Sequence, residues 1–180
     1  MNEAWIVQSE LTPPSPPASW LVRALHPIGG PQPPLTFLVA GPGYGKTLGL
    51  RSLVHKKLEA GVPVLWYSLD LYDTDAATFF HYLVAGMRMH IPQFGEEVKA
   101  LLVGERLEPR LLWQRFFQAL AAYNLPEVHI VLDDFHTLQE NQPELVKALA
   151  YFFDKLPPRT HLLISSRTRL TIPLGKAQQM

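Results

Sequence analysis

The sequence predicts an α/β domain: a mainly parallel sheet covered by helices on both faces. Three observations predict it. Short apolar runs alternate with longer segments whose apolar residues recur at helical spacing. Those short runs are nearly continuous rather than alternating, as expected of strands buried on both faces. Finally, 47% of the 180 residues are hydrophobic and only 18% charged, enough apolar surface for a substantial core.

The elements follow in chain order. Proline is concentrated near the start: of 17 in the chain, eight fall between Pro13 and Pro34. Proline fixes φ and removes a backbone donor, so Leu11–Pro34 reads as an extended arm and not as sheet interior. It is either a stiff linker or an arm that packs beside a ligand site. The expected organisation is therefore an arm over 1–34 and a folded domain over 35–180. Leu35–Ala40 is the first strand. A glycine-rich turn leads into a helix from Lys46 to about Ala60, ended by Gly61 and Pro63. Val64–Leu69 is the second strand. Asp73 or Asp75 can cap the next helix, where Phe79, Phe80, Leu83, Val84 and Met87 share a face. A weaker helix is expected over Glu96–Val103 and a stronger one over Pro109–Tyr123. Val128–Leu132 is the third strand. A helix starting near Asn141 and Pro143 carries Leu145, Leu149, Phe152, Phe153 and Leu156 inward until Pro157 and Pro158 stop it. Thr160–Ser165 is the fourth strand. The aromatic stripes on these helices read as core.

Composition excludes several functions. Sixteen basic residues balance sixteen acidic ones, so there is no electrostatic footprint for direct DNA binding or for an anionic membrane. The absence of cysteine removes disulfides, thiolate metal sites and a cysteine nucleophile. No apolar run approaches the ~20 residues of a membrane helix, and no signal peptide is evident at Met1–Glu10. The expectation is a soluble, cytoplasmic domain.

The strongest chemical signal is Ala40-Gly41-Pro42-Gly43-Tyr44-Gly45-Lys46-Thr47. It fits the phosphate-loop pattern G-x-x-x-x-G-K-[ST] with Ala40 in place of the first glycine, and it lies between a strand and a helix. Glycines let successive N–H groups face one anion, and the helix start adds the positive end of its dipole. Lys46 supplies a point charge for the β- and γ-phosphates, and Thr47 a hydroxyl for Mg2+. The second signal is the apolar strand that ends in Asp133-Asp134. Asp133 is assigned to the metal and Asp134 to orienting or deprotonating an attacking water. The bland alternative is a pair that merely caps a turn. The third is Ser165-Ser166-Arg167 at the end of the fourth strand, the edge where ligands of open α/β sheets bind. Arg167 could contact a γ-phosphate and stabilise transition-state charge, or be a solvated arginine in a turn. Asp70 ends the second strand and could reach the same edge, but reads first as a cap of the following turn. The histidines at 55, 81, 90, 129, 136 and 161 show no metal-ligand spacing; His136 stands out only for its place just after the acidic pair.

Together, Gly43-Tyr44-Gly45-Lys46-Thr47, Trp66-Tyr67-Ser68-Leu69-Asp70, Val131-Leu132-Asp133-Asp134-Phe135-His136 and Leu163-Ile164-Ser165-Ser166-Arg167 resemble the nucleotide-binding domain of MalT-like, large LuxR-type transcriptional regulators. Leu11-Thr12-Pro13-Pro14 and Val22-Arg23 in the arm fit as well. The resemblance spans roughly Glu10 to Leu174 and implies a P-loop NTPase fold of the signal-transduction ATPase class. It implies a switch that rests with ADP, takes up ATP with Mg2+ on a signal, self-associates and resets by slow hydrolysis. It places the nucleotide on the loop from Gly41 and Pro42 through Thr47 and Leu48. Asp133 and Asp134 take the Walker-B roles, Arg167 becomes the sensor arginine, and Arg23 falls near the base. Leu48 stands where a second threonine is common, a change in helix packing rather than in phosphate contact. Inducer or regulatory proteins would act through regions outside this chain. Relatives continue into a fifth core strand, so the resemblance implies a domain truncated at its C-terminus with the first strand as an exposed edge. Two alternatives stay open: a stand-alone enzyme such as a small-molecule kinase, and a catalytically inactive scaffold. No arginine-rich lid supports the first, and retention of Lys46, Thr47 and Asp133 argues against the second. No Asn-Lys-x-Asp guanine reader is present, so ATP is preferred on resemblance.

Overall fold

Four parallel strands form the sheet in the order β1-β4-β3-β2: β1 Leu35–Val39, β2 Val64–Ser68, β3 Val128–Asp133 and β4 Thr160–Ser166. The computed structural model describes residues 6–15, 33–70, 75–103 and 108–169. Six helices connect and cover the strands: α1 Lys46–Glu59, α2 Ala76–Arg88, α3 Glu96–Leu102, α4 Pro109–Ala122, α5 His136–Asn141 and α6 Pro143–Ala150. The chain crosses from β1 to the far edge at β2 and then returns through β3 to β4. Parallel crossovers keep one hand, so a reversal of direction sends the connecting helices to the opposite face. Accordingly, among the described residues, α1 alone covers one face, and α2 to α6 build on the other.

Alternation along each strand divides the core. Leu65, Tyr67, Ile130, Leu132, Leu162 and Ile164 point to the thick side, where Phe79, Phe80, Trp113 and Phe116 pack edge to face. Val64, Trp66, Val131 and Leu163 point to the thin side and meet Leu50 and Val54 of α1. The expected face of α2 is buried in full. Of its two candidate caps, Asp75 fills the role by accepting from Thr78 N–H at 2.8 Å; Asp73 lies outside the described residues.

The arm is partly described. Ser68 N–H donates to Glu10 C=O at 2.9 Å, and Leu11 is buried against the helical side. Residues 6–15 therefore fasten onto the β2 edge. At the other end of the sheet β1 has only β4 beside it among the described residues, with Val39 45% exposed.

Two elements depart from the sequence expectation. The helix expected through Leu156 ends at Ala150, and Phe153–Lys155 forms a 3-10 turn. Phe152 N–H bonds Leu149 C=O and Lys155 N–H bonds Phe152 C=O, both one residue tighter than α. Leu156 is already extended at ψ 140°, the conformation that a following proline enforces. Helix α5 was not expected, because its sequence His-Thr-Leu-Gln-Glu-Asn has little apolar periodicity; burial of Phe135 and Leu138 holds it.

Two left-handed glycines separate strain from packing. A Cβ at Gly61 (φ +70°) would meet nothing within 4 Å, whereas one at Gly95 (φ +74°) would lie 3.0 Å and 3.1 Å from the Val84 methyls. Gly61→Ala should cost about 1 kcal/mol from the left-handed backbone alone. Gly95→Ala should cost about 1–3 kcal/mol more from overpacking against α2. Urea unfolding measures both, and equal losses would refute the close approach of Val84.

Candidate functional site

After β1 the chain departs for one face, and after β3 for the other. A crevice opens where such connections diverge at the carboxyl ends of a parallel sheet. Three segments meet there: the glycine loop after β1, the acidic pair ending β3 and the Ser165-Ser166-Arg167 end of β4.

The loop is built by backbone conformation. Gly43 and Gly45 both adopt left-handed φ, +78° and +75°, which L side chains rarely tolerate, and no atom lies within 4 Å of where a Cβ would stand at either. Gly45 is the N-cap of α1, with no side-chain cap and no acidic residue in the first turn. Among the described residues, no cap and no first-turn acid compensates the positive end of this 14-residue helix. Lys46 Nζ donates to Gly41 C=O at 3.1 Å, so the ammonium is folded back over the loop. Thr47 and Leu48 are half-buried in the first turn, Pro42 is exposed, and Tyr44 is exposed at the loop tip.

The loop is tied to the acidic pair through β4. Ala40 N–H donates to Ser166 C=O at 3.2 Å, securing the loop's root. One residue earlier, the Ser165 hydroxyl donates to Asp133 Oδ1 in a short contact. Asp134 N–H reaches both Asp133 Oδ1 (3.1 Å) and Ser165 Oγ (3.0 Å), and Phe135 N–H bonds Ser165 C=O at 2.8 Å. Asp133 is 3% exposed, so a buried carboxylate is positioned by a hydroxyl and an amide.

Asp134 behaves differently. Its φ is +54°, a left-handed conformation that aspartate tolerates better than most residues. The turn carries its carboxylate toward solvent, where Oδ1 lies 3.5 Å from Arg167 Nε and 3.7 Å from His136 Nδ1. His136 Nδ1 is buried and has no hydrogen-bond partner among the described residues. The structure thus brings Asp133, Asp134 and Arg167 to the sheet edge where the glycine loop begins. Arg23 lies outside the described residues. Sequence reading singled out Ser165 only as part of its triplet; its role as the donor that positions Asp133 depends on the β3–β4 register.

The donor set fits a nucleotide triphosphate with Mg2+: open glycine amides, an uncapped helix start, one lysine, one threonine hydroxyl and a carboxylate fixed at the strand end.

A family model described as "Nephrocystin 3, N-terminal" matches residues 25–167. The chain belongs to this family. Curated relatives of this family member include the HTH-type transcriptional regulator MalT of Vibrio cholerae, 28% identical over 75% of this chain and 14% of the regulator. MalT of Serratia proteamaculans is 28% identical over 79% of this chain and 15% of its own length. For MalT of Klebsiella pneumoniae the figures are 28%, 81% and 16%. The chain therefore spans about a seventh of the length of these relatives. Among solved structures, a Walker-type ATPase of Pyrococcus abyssi covers 74% of this chain and 40% of its own, with a TM-score of 0.46 and 19% identity. The parallel sheet with its glycine loop between β1 and α1 is the α/β P-loop arrangement, and in sequence the chain is similar to about a seventh of these MalT regulators.

The two Asp133-side bonds and the Asp134–Arg167 pair differ in worth. Ser165→Ala would remove a donor from a buried carboxylate and an acceptor from an amide, and should cost about 1–3 kcal/mol. Arg167→Ala, breaking a half-exposed pair, should cost under about 1 kcal/mol. Denaturant midpoints decide it, and the reverse ranking would refute the positioning role of Ser165.

Proposed function

We propose that this chain is the ATP/ADP-binding switch domain of a signal-responsive transcriptional regulator, with slow Mg2+-dependent hydrolysis. The observation that carries the reading is the hydrogen-bonded run from loop to acid: Ala40 to Ser166, then Ser165 to Asp133 and Asp134. A glycine turn alone would be weak grounds. Here a cationic loop and two carboxylates of unlike exposure are assembled by a single strand between them.

The proposed roles follow from the placement. The amides of Gly43, Gly45, Lys46 and Thr47 would cradle phosphate oxygens, with Lys46 exchanging its bond to Gly41 C=O for a charge-assisted one. The Thr47 hydroxyl and Asp133 would hold Mg2+, which neutralises phosphate charge. Asp134, half-buried and adjacent, would orient the attacking water. Arg167 would exchange Asp134 for the γ-phosphate, so that the pair reports which nucleotide is present. Exchange of that kind gives hydrolysis a readout, as a switch requires. Self-association of the ATP form and action on transcription through regions outside this chain belong to the same proposal, and rest on the likeness to MalT regulators.

Calorimetric titration with Mg-ADP and Mg-ATP tests it. Lys46→Ala should weaken binding about 10- to 100-fold, the worth of one charge-assisted hydrogen bond; wild-type affinity in the variant would refute the loop assignment.

Asp134→Asn keeps the left-handed turn, since asparagine tolerates it as well as aspartate does. It should bind nucleotide normally and hydrolyse ATP at least about tenfold more slowly, the lower end of what a positioned base contributes. Unchanged turnover would remove Asp134 from the reaction.

A further inference from the structure

At the opposite end of the sheet, the register of β3 on β4 pairs His129 with His161. Both side chains fall on the thin side, where the last turn of α1 lies. The rings stack at 4.7 Å between centroids and 15° between planes. Glu127, just before β3, directs one oxygen at both: Oε1 is 3.1 Å from His129 Nε2 and 3.4 Å from His161 Nε2. Lys57 from α1 holds the same carboxylate at 2.8 Å and 2.7 Å.

One donor atom from each of the three side chains converges in this cluster. His161 Nδ1 lies 3.1 Å from Pro33 C=O, which can only accept, so Nδ1 carries the proton. In a neutral ring Nε2 then offers a lone pair. Nε2 lies 3.4 Å from Glu127 Oε1, and the fully buried His129 ring brings its own Nε2 to 3.1 Å from the same oxygen.

We propose that Glu127 Oε1, His129 Nε2 and His161 Nε2 bind a divalent transition-metal ion, with Zn2+ the best match to the donors. Two imidazoles and a carboxylate suit zinc and its neighbours rather than Mg2+ or Ca2+. Zn–ligand bonds of ~2.0–2.1 Å in a tetrahedron put donor atoms ~3.3 Å apart. The two Glu127–histidine separations, 3.1 Å and 3.4 Å, already have that size, and all three donor atoms lie within 4.8 Å of one another. The His161–Pro33 bond is the outer contact that orients a metal-binding ring and fixes its tautomer. Lys57 is the competing cation. Its side chain is 34% exposed at the end of α1, so it can swing to solvent when the ion arrives. No spacing in the sequence announces the site, because its ligands meet only through strand register.

The test is titration of the full chain with Co2+ and Zn2+ in the absence of nucleotide, following the visible absorption of tetrahedral cobalt and its displacement by zinc. One equivalent should bind. His161→Ala, whose side chain is only partly buried, and the near-isosteric Glu127→Gln should each weaken binding at least about 100-fold, the upper end of what an outer contact alone is worth. Lys57→Met, which frees the carboxylate, should tighten it. Circular dichroism of each variant separates lost binding from lost fold. Absence of the cobalt band, or equal binding by both ligand variants, would overturn the proposal. So would ring shifts showing His161 Nε2 still protonated with zinc present, because a protonated nitrogen cannot ligate the ion.

Discussion

The parallel pairing of β3 with β4 is the constraint on which the rest depends. Both strands are buried along almost their whole length, and each contributes to the core on both faces. Parallel neighbours need a long crossover, which is why α5, α6 and the 3-10 turn lie between them. Their register also fixes chemistry at both ends. At the carboxyl end it brings Ser165 to Asp133; at the amino end it stacks His129 on His161. A slip of one residue would turn every one of those side chains to the opposite face, so the packing of Ile130, Leu132, Leu162 and Ile164 protects the polar geometry at both edges.

Helix α1 links those two edges. It begins at Lys46 with no side chain capping its positive end, and finishes with Lys56 and Lys57 near its negative one. Both arrangements obey the same dipole. The start is left open to an anion, whereas the end is supplied with cations, one of which holds Glu127. Leu50 and Val54 fix the helix to Trp66, Val131 and Leu163 between the two ends, with no exposure at Leu50 or Val54. A rigid helix anchored in its middle keeps the loop's first amides in place without help from the loop's own side chains, which are small or exposed.

How far the sequence reaches can be judged element by element. The strands were legible to within a residue, because a continuous apolar run of five or so residues between turn formers is too short for a buried helix and suits a buried strand. The placement of the candidate site was legible wherever one segment carries its own pattern: the glycine loop, the paired acids, the arginine after β4. It was not legible where the determinant is a contact between segments. Ser165 and Asp133 are 32 residues apart, and nothing in either neighbourhood names the other. The end of α6 failed for a related reason. Leu145, Leu149, Phe152, Phe153 and Leu156 suit one helix as well as a helix followed by a 3-10 turn, and Pro157 decides through the backbone of Leu156. Helix α5 exists by virtue of tertiary packing on two side chains, which periodicity does not register.

The two aspartates show how one strand end can serve unlike tasks. Asp133 is buried and fixed by a hydroxyl and an amide, a geometry suited to a group whose position must not change. Asp134, the next residue, is turned outward by a left-handed backbone and held by an arginine that is itself 48% exposed. A half-exposed pair of this kind is worth about 0–1 kcal/mol, less than a phosphate contact by the same guanidinium. On the proposed reading this inequality is what makes a switch workable. Were Arg167 buried against Asp134, removing it would leave an uncompensated charge at a cost of several kcal/mol, and a γ-phosphate could not easily draw it away. A weak pair beside a rigid one would let a phosphate shift the arginine while Asp133, the carboxylate proposed to hold the metal, stays where β3 and β4 put it.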